Sequence, residues 1–241
     1  MQILLTIAYD GTDYAGWQRQ ANAVAVQEVL ELALAQLYGL EIKTAAAGRT
    51  DAGVHALGQR VVFTAENLIP LEKLPMVLAK FLPKDISALK AELVPDDFNP
   101  RFHAKKKTYV YKIHNAFNPF VNRYSAFVPH SLDLAVMQQA ACHFIGEHDF
   151  AAFCATGGSA KTTVREIYNC SVNKGPDLVE ITVTGNGFLY NMVRIIAGTL
   201  LYVGSGKIKP SAIPEIINSR DRKQAGKTAP AHGLTLLEVV Y

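Results

Sequence analysis

Residues 43–64 read KTAAAGRTDAGVHALGQRVVFT. β-prone runs at Lys43–Ala47 and Gln59–Thr64 flank a loop, Gly48–Gly58, in which Gly48, Gly53 and Gly58 space Arg49, Asp51 and His55. Two strands joined by a long polar loop need further elements to cover them, and the surrounding sequence supplies these. Upstream, Gln2–Tyr9 alternates as a first strand and Asp10-Gly11-Thr12-Asp13 carries turn chemistry. Val26, Val29, Leu30, Ala33, Leu34 and Leu37 then recur at helical spacing, which predicts a helix ending near Gly39. Downstream, Leu71–Phe81 has helical character closed by Pro83, and Ile86–Leu93 reads as a strand. The result is a β-α-β-loop-β-α-β unit.

The Pro- and Asp-rich segment Val94–Arg101 marks a boundary, so the expected halves are 1–97 and 98–241. The second half repeats the mixture. Thr108–Ile113 alternates as a strand, and Asp133–Phe144 places Leu134, Met137, Ala141 and Phe144 on one helical side. Val164–Val172 and Leu178–Thr184 form a hairpin across Lys174-Gly175-Pro176. Phe188–Val203 is a buried helix, Ala212–Asn218 a short one, and Leu234–Tyr241 a closing strand. The fold class is therefore α+β, in two similar halves, each a mixed or antiparallel sheet with helices on one face.

At 241 residues, 49% hydrophobic and net charge +3, the chain has the apolar surface to fold as a compact globule, which argues against a disordered protein. Met1–Asp10 reads as a strand rather than a leader, and Val193–Gly204 is too short to span a bilayer and carries Arg194, so no membrane partner is expected. Cys142, Cys154 and Cys170 are odd in number and scattered, which predicts reduced, buried thiols in a cytoplasmic protein and no metal site.

The small net charge hides an uneven distribution. Phe98–Leu132 has six basic residues (Arg101, Lys105, Lys106, Lys107, Lys112, Arg123) and no acid. It also has eight aromatics, where an even spread of the chain's 10 Tyr, 11 Phe and 1 Trp would leave about three. Cations meet phosphates and rings meet bases, so nucleic acid is a partner class this stretch suggests, although strand-core rings and solvated lysines account for the same composition.

Within Gly48–Gly58 there is no Lys-Ser/Thr ending of a phosphate-binding loop and no dinucleotide glycine pattern, so a nucleotide cofactor is not expected. What remains is a carboxylate two residues from a guanidinium. A nearby Arg favours the ionised form of an Asp, which suits Asp51 to nucleophilic or electrostatic work. An Asx-turn at Asp51-Ala52-Gly53 with Arg49 facing solvent explains the same spacing.

AGRTDAGVHALGQ, residues 47–59, resembles the signature of the TruA family of tRNA pseudouridine synthases, which act on the anticodon stem-loop at positions 38, 39 and 40. The likeness runs along the chain, through YDGTDYAGWQRQ (9–20), RFHA (101–104) with Tyr109-Val110-Tyr111, GFLYNMVR (187–194) and TAPAHGL (228–234). One departure is Ala25 before Val26-Gln27, where relatives carry Ser or Thr; this touches a helix cap rather than the chemistry.

The resemblance implies a pseudouridine synthase fold, an isomerase that needs no cofactor or metal, a homodimer, and tRNA as partner. Asp51 would be the catalytic nucleophile. Arg49 would help hold the extruded nucleotide, Tyr109 would pack against the target uracil, and Arg194 would pair with Asp51. A guanidinium at the end of the apolar helix VRIIAGTLLYV needs an acid in any case, and with Asp51 as that acid the catalytic cleft lies between the halves. The reaction breaks N1–C1′, turns the base and joins C5 to C1′. Attack of Asp51 on C1′, addition to C6 and assistance of a glycal route are all open to it, and either Asp51 or the Tyr109 hydroxyl can take the C5 proton.

Lys105, Lys106, Lys107 and Arg19 are candidate phosphate contacts. Asp10 and Asp13 are expected to brace their loop, and Gln59 to close the one that follows. A pseudouridine synthase with another RNA target, or a non-catalytic tRNA-binding or folding protein, would carry much of the same sequence; the intact Asp51 favours catalysis.

Overall fold

The computed structural model describes residues 1–66, 69–158 and 160–241. They form a mixed α+β protein in two compact units, one comprising 1–105 with 235–241 and the other 106–234.

In the first unit, β1 (Gln2–Tyr9), β3 (His55–Thr64) and β4 (Ile86–Val94) are antiparallel, with β1 in the middle: Leu5 stands opposite Val61 on one side and Ala91 on the other. On its other edge β3 receives the short β2 (Thr44–Ala46) antiparallel and β10 (Leu234–Val240) parallel, the latter at Thr235↔His55 and Leu236↔Ala56. Helix α1 (Val26–Tyr38) follows the expected period, burying Val26, Leu30, Ala33 and Leu34 and stopping at Gly39, whose φ of 71° is the left-handed turn that ends helices. Its N-cap is Ala25, which makes no side-chain cap. The predicted helix over 71–81 is reduced to α2 (Leu74–Leu78), with turns on either side.

The second unit has an antiparallel sheet in the order β5 (Lys106–His114), β9 (Val179–Gly185), β8 (Val164–Lys174), β7 (Gly146–Asp149), with β6 (Ala126–Phe127) parallel to the end of β5. Helix α3 (Leu134–Cys142) is capped by Asp133, whose carboxylate accepts from Val136 N. Helix α4 (Met192–Gly204) is buried along most of its length, and α5 (Ile213–Ser219) is short. Among the described residues no helix is long and apolar enough to cross a membrane.

Three expectations change. The division falls later than 97/98, and the last strand returns to the first unit. The Tyr241 hydroxyl donates to Pro100 O (3.0 Å), its ring meets Phe98 edge-on at 4.9 Å, and Lys105 N donates to Val240 O, so 98–105 and the C-terminal strand hold one another there. The loop is also shorter than Gly48–Gly58, because His55 to Gly58 belong to β3, paired with β1 at Ala56 and with β10. Finally, Cys142 is exposed at the end of α3 and Cys154 only half-buried, leaving Cys170 as the one enclosed thiol of the three.

Candidate active site

Asp51 lies on the connection from β2 to β3, and almost everything beside it is held. Ala47 N donates to Arg60 O, and the buried Gln59 closes the loop by donating from Nε2 to Gly48 O at 2.8 Å. Thr50 is gripped twice: its Oγ1 meets the Tyr9 hydroxyl at 2.8 Å inside the core, and its carbonyl accepts from Trp17 N at 3.0 Å. Val54 N then donates back to Asp51 O, and Gly53 turns at φ 77°. Asp51 itself is only half-buried, Arg49 exposed and Thr50 buried.

The support comes from residues 9–20, the first block of the resemblance. Gly16 has φ 93°, and a Cβ there would stand 2.6 Å from Thr50 O and 3.0 Å from the Asp51 carbonyl carbon, so only glycine lets this segment lie against the loop backbone. Gly11 is equally tight: its missing Cβ would be 2.0 Å from Val54 O. Gly11 N donates to His55 Nδ1 (3.0 Å). Asp10 Oδ1 lies 3.2 Å from the same nitrogen. Asp10 braces its own turn through Thr12 N (3.0 Å), and Tyr14 donates to Asp85 Oδ1 (2.8 Å). Burial pushes the Tyr9 phenol up to about 12, partly offset by hydrogen bonds to Thr50 and Gln59, so Tyr9 serves as a neutral hydroxyl anchor.

In the second unit, Tyr109 stands on β5 opposite Val183, 8% exposed, with its ring edge-on to Phe188 at 5.2 Å. Arg194 sits in the first turn of α4, half-buried. Its Nε donates to Ala229 O (2.8 Å), its Nη1 to Asn191 Oδ1 (2.7 Å), and Ala229 N returns a bond to Arg194 O. Asn191 precedes the helix in the left-handed region, φ 60°, which turns its side chain's neighbourhood toward Arg194. The TAPAHGL segment acts as a common brace, because the next residue, Pro230, accepts the Tyr111 hydroxyl at 3.0 Å. Burial raises the Tyr111 phenol above its ordinary value, while the Arg194 charge pulls it down. The segment can lie so close to α4 because Gly198 and Gly226 have no side chains: a Cβ on Gly198 would stand 1.8 Å from Lys227 O.

Of the expected residues, Asp51 and Arg49 thus share one loop of the first unit, whereas Tyr109 and Arg194 belong to the second. The exposed Arg49 is a solvated cation rather than part of a buried pair. Arg19 lies 3.5 Å from Glu28 and 3.6 Å from Glu31, so part of its charge is already answered. Lys105 is exposed, while Lys106 and Lys107 are half-buried at the start of β5. Sequence reasoning missed Tyr9, Thr50, Gly16 and Phe188 as positioning residues. All four sit inside the quoted blocks, so their place there was the available signal. No group of three or more His, Cys, Asp or Glu placed to hold a metal occurs among the described residues.

A family model described as tRNA pseudouridine synthase matches residues 5–103 and 140–241. Proteins named tRNA pseudouridine synthase A are similar over nearly their whole length. That of Caldicellulosiruptor saccharolyticus is 50% identical over 241 residues, 99% of each chain. That of Ruminiclostridium cellulolyticum is 50% identical over 243 residues, 100% of this chain and 99% of its own. That of Bacillus pumilus is 46% identical over 245 residues, again 100% and 99%. With a braced aspartate loop, a buried tyrosine and a bracketed arginine falling inside the matched or quoted blocks, this chain belongs to the tRNA pseudouridine synthase family.

Proposed function

We propose that the protein isomerises uridine to pseudouridine at positions 38, 39 and 40 in the anticodon stem-loop of tRNA, with Asp51 as nucleophile. The observation that supports this best is the contrast within one short loop: backbone and neighbours pinned from both sides, and a single carboxylate, Asp51, left partly open to solvent. A nucleophile that must attack a sugar or base carbon gains from such fixed placement, because effective molarity falls steeply with misalignment. Isomerisation imports no group and changes no oxidation state, so the chain needs no redox cofactor. Arg49, exposed two residues away, holds the extruded nucleotide through its phosphate; Tyr109 packs against the uracil; Arg194 pairs with the aspartate. We place the enzyme in the cytoplasm as a homodimer.

Tritium at uridine C5 of tRNA reports turnover as label released to water. Asp51→Ala should abolish release while tRNA binding persists; undiminished release would sink the nucleophile assignment. Mapping the modified nucleotides decides the target, and pseudouridine confined outside the anticodon arm would overturn the substrate. Arg194→Ala should lower the rate by at least about tenfold while tRNA binding persists. A wild-type rate in Arg194→Ala would refute the pairing.

A further inference from the structure

A cavity lies in the 106–234 unit, about 570 Å3 in volume, lined by His114, Phe117, Asn118, Asn122, Ser125 and Phe127 among others. Its chemistry has no use in the steps above. His114 is 3% exposed, and its Nδ1 meets Ser125 Oγ at 2.9 Å. The serine proton is committed, since Oγ donates to Val121 O at 2.7 Å. Nδ1–H is therefore the donor to the serine oxygen, which leaves Nε2 as a bare acceptor, and that buried atom has no partner. An acceptor enclosed without a donor is costly, and folded proteins rarely keep one unless something else supplies the N–H.

The surroundings specify what could supply it. Phe117 and Phe127 lie with ring centroids 4.9 Å apart at 36°, and Phe117 is 92% exposed. Such a ring can turn aside with little loss of buried surface, admitting a flat molecule toward His114. Asn118 spends its Oδ1 on Phe120 N, leaving an amide donor for a carbonyl or ring nitrogen. From His114 to Leu132 the chain has no acid. An adjoining cavity that shares Phe127 is lined by Ser205, Lys207 and Lys227, with the Lys207 ammonium 5.1 Å from the Tyr202 ring centroid. A planar group with an N–H edge, next to an anion, is what this pair of cavities complements, and the volume fits one nucleoside.

We propose that the cavity at His114, in the 106–234 unit, is a nucleobase subsite. It takes one unstacked base of the tRNA against Phe117 and Phe127, with an N–H on His114 Nε2 and the neighbouring phosphate at Lys207 and Lys227. The subsite rests on tRNA being the substrate, and it does not depend on which nucleotide is modified.

The experiment is to titrate the full chain with unmodified tRNA at several salt concentrations, and to follow single-turnover tritium release at saturating tRNA. Wild type is compared with Phe117→Ala and with the double variant Lys207→Ala, Lys227→Ala. Phe117→Ala should weaken tRNA binding about five- to fiftyfold, the loss of one base stack, with the salt slope and the saturated rate unchanged. The lysine pair, which answers one phosphate, should flatten the salt slope by about 0.7 to 0.9. Wild-type affinity in Phe117→Ala, or an unchanged slope in the lysine variant, would overturn the subsite. A change of mass on sedimentation in Phe117→Ala would also overturn it, marking the face as a contact between copies of the chain. A wild-type protein that binds tRNA through Phe117 yet releases no label would support the subsite and refute the catalytic reading, so the two fail separately.

Discussion

Tyr9 carries more of the site than its place in a strand suggests. It is enclosed in the core and spends its hydroxyl on Thr50, the residue before Asp51. Tyr9→Phe keeps the ring and removes the buried hydroxyl's hydrogen bonds to Thr50 and Gln59, a loss of roughly 1–3 kcal/mol in stability. The rate of tritium release at a temperature where the variant stays folded should also fall, roughly tenfold, because the loop is freed on the side that sets the carboxylate's position. Thermal melts beside single-turnover rates check this; a rate that tracks stability alone would leave Tyr9 a core residue only. Asp51 stands out in the sequence as a candidate because a carboxylate lies between glycines in a block that resembles the family's signature. Tyr9 does not, since a tyrosine at the end of a β-strand looks like any other strand aromatic, and its partner is 41 positions away.

Among the elements, α4 shows where periodicity succeeds and where it stops. An apolar run predicts a buried helix, and the helix is there, beginning at Met192 rather than Phe188 because Asn191 adopts a left-handed turn ahead of it. The run does not say that one face must be bare. In an exposed helix Gly→Ala is worth up to about 1 kcal/mol of stabilisation. Gly198→Ala should do the reverse and cost at least ~2 kcal/mol, because the new methyl would meet Lys227 O, 1.8 Å away, and push the 226–230 segment off the helix. That segment carries the Ala229 carbonyl that holds Arg194 Nε, so activity should be lost along with stability. Calorimetry and the release assay together test it; a stabilised, active variant would show that the segment yields freely. The loop before β3 failed in a complementary way: His55 to Gly58 read as loop because they lie between the glycines Gly53 and Gly58 and continue the run from Gly48, yet pairing with two other strands makes them sheet.

Over the whole molecule, several groups resist ionisation together. Burial pushes Tyr9 from 10.0 to about 12 and Cys170 from 9.0 to about 12, and raises Tyr111 and Tyr241 as well. In each case the folded state holds the proton more tightly than the unfolded chain. The stability they confer is therefore complete below about pH 8, declines as the unfolded chain's thiol and then its phenols ionise, and is gone once the folded values are passed. Chemical denaturation followed from pH 7 to 12 should show a steady loss that begins between about pH 8 and 9; a flat profile would mean these groups are not enclosed in solution. Sequence by itself determined the α+β class and the helix of residues 26–38 and singled out the candidate residues of the site, because local propensity, hydrophobic period and side-chain chemistry are properties of neighbours along the chain. Only the tertiary structure decided that β10 completes the sheet of the first unit, that Gly16 and Gly198 are sites of backbone contact, and that Thr50 and Arg194 are held by Tyr9 and Ala229. Those choices depend on which distant segments share a core, and close packing between residues far apart in sequence leaves no period for the sequence to display.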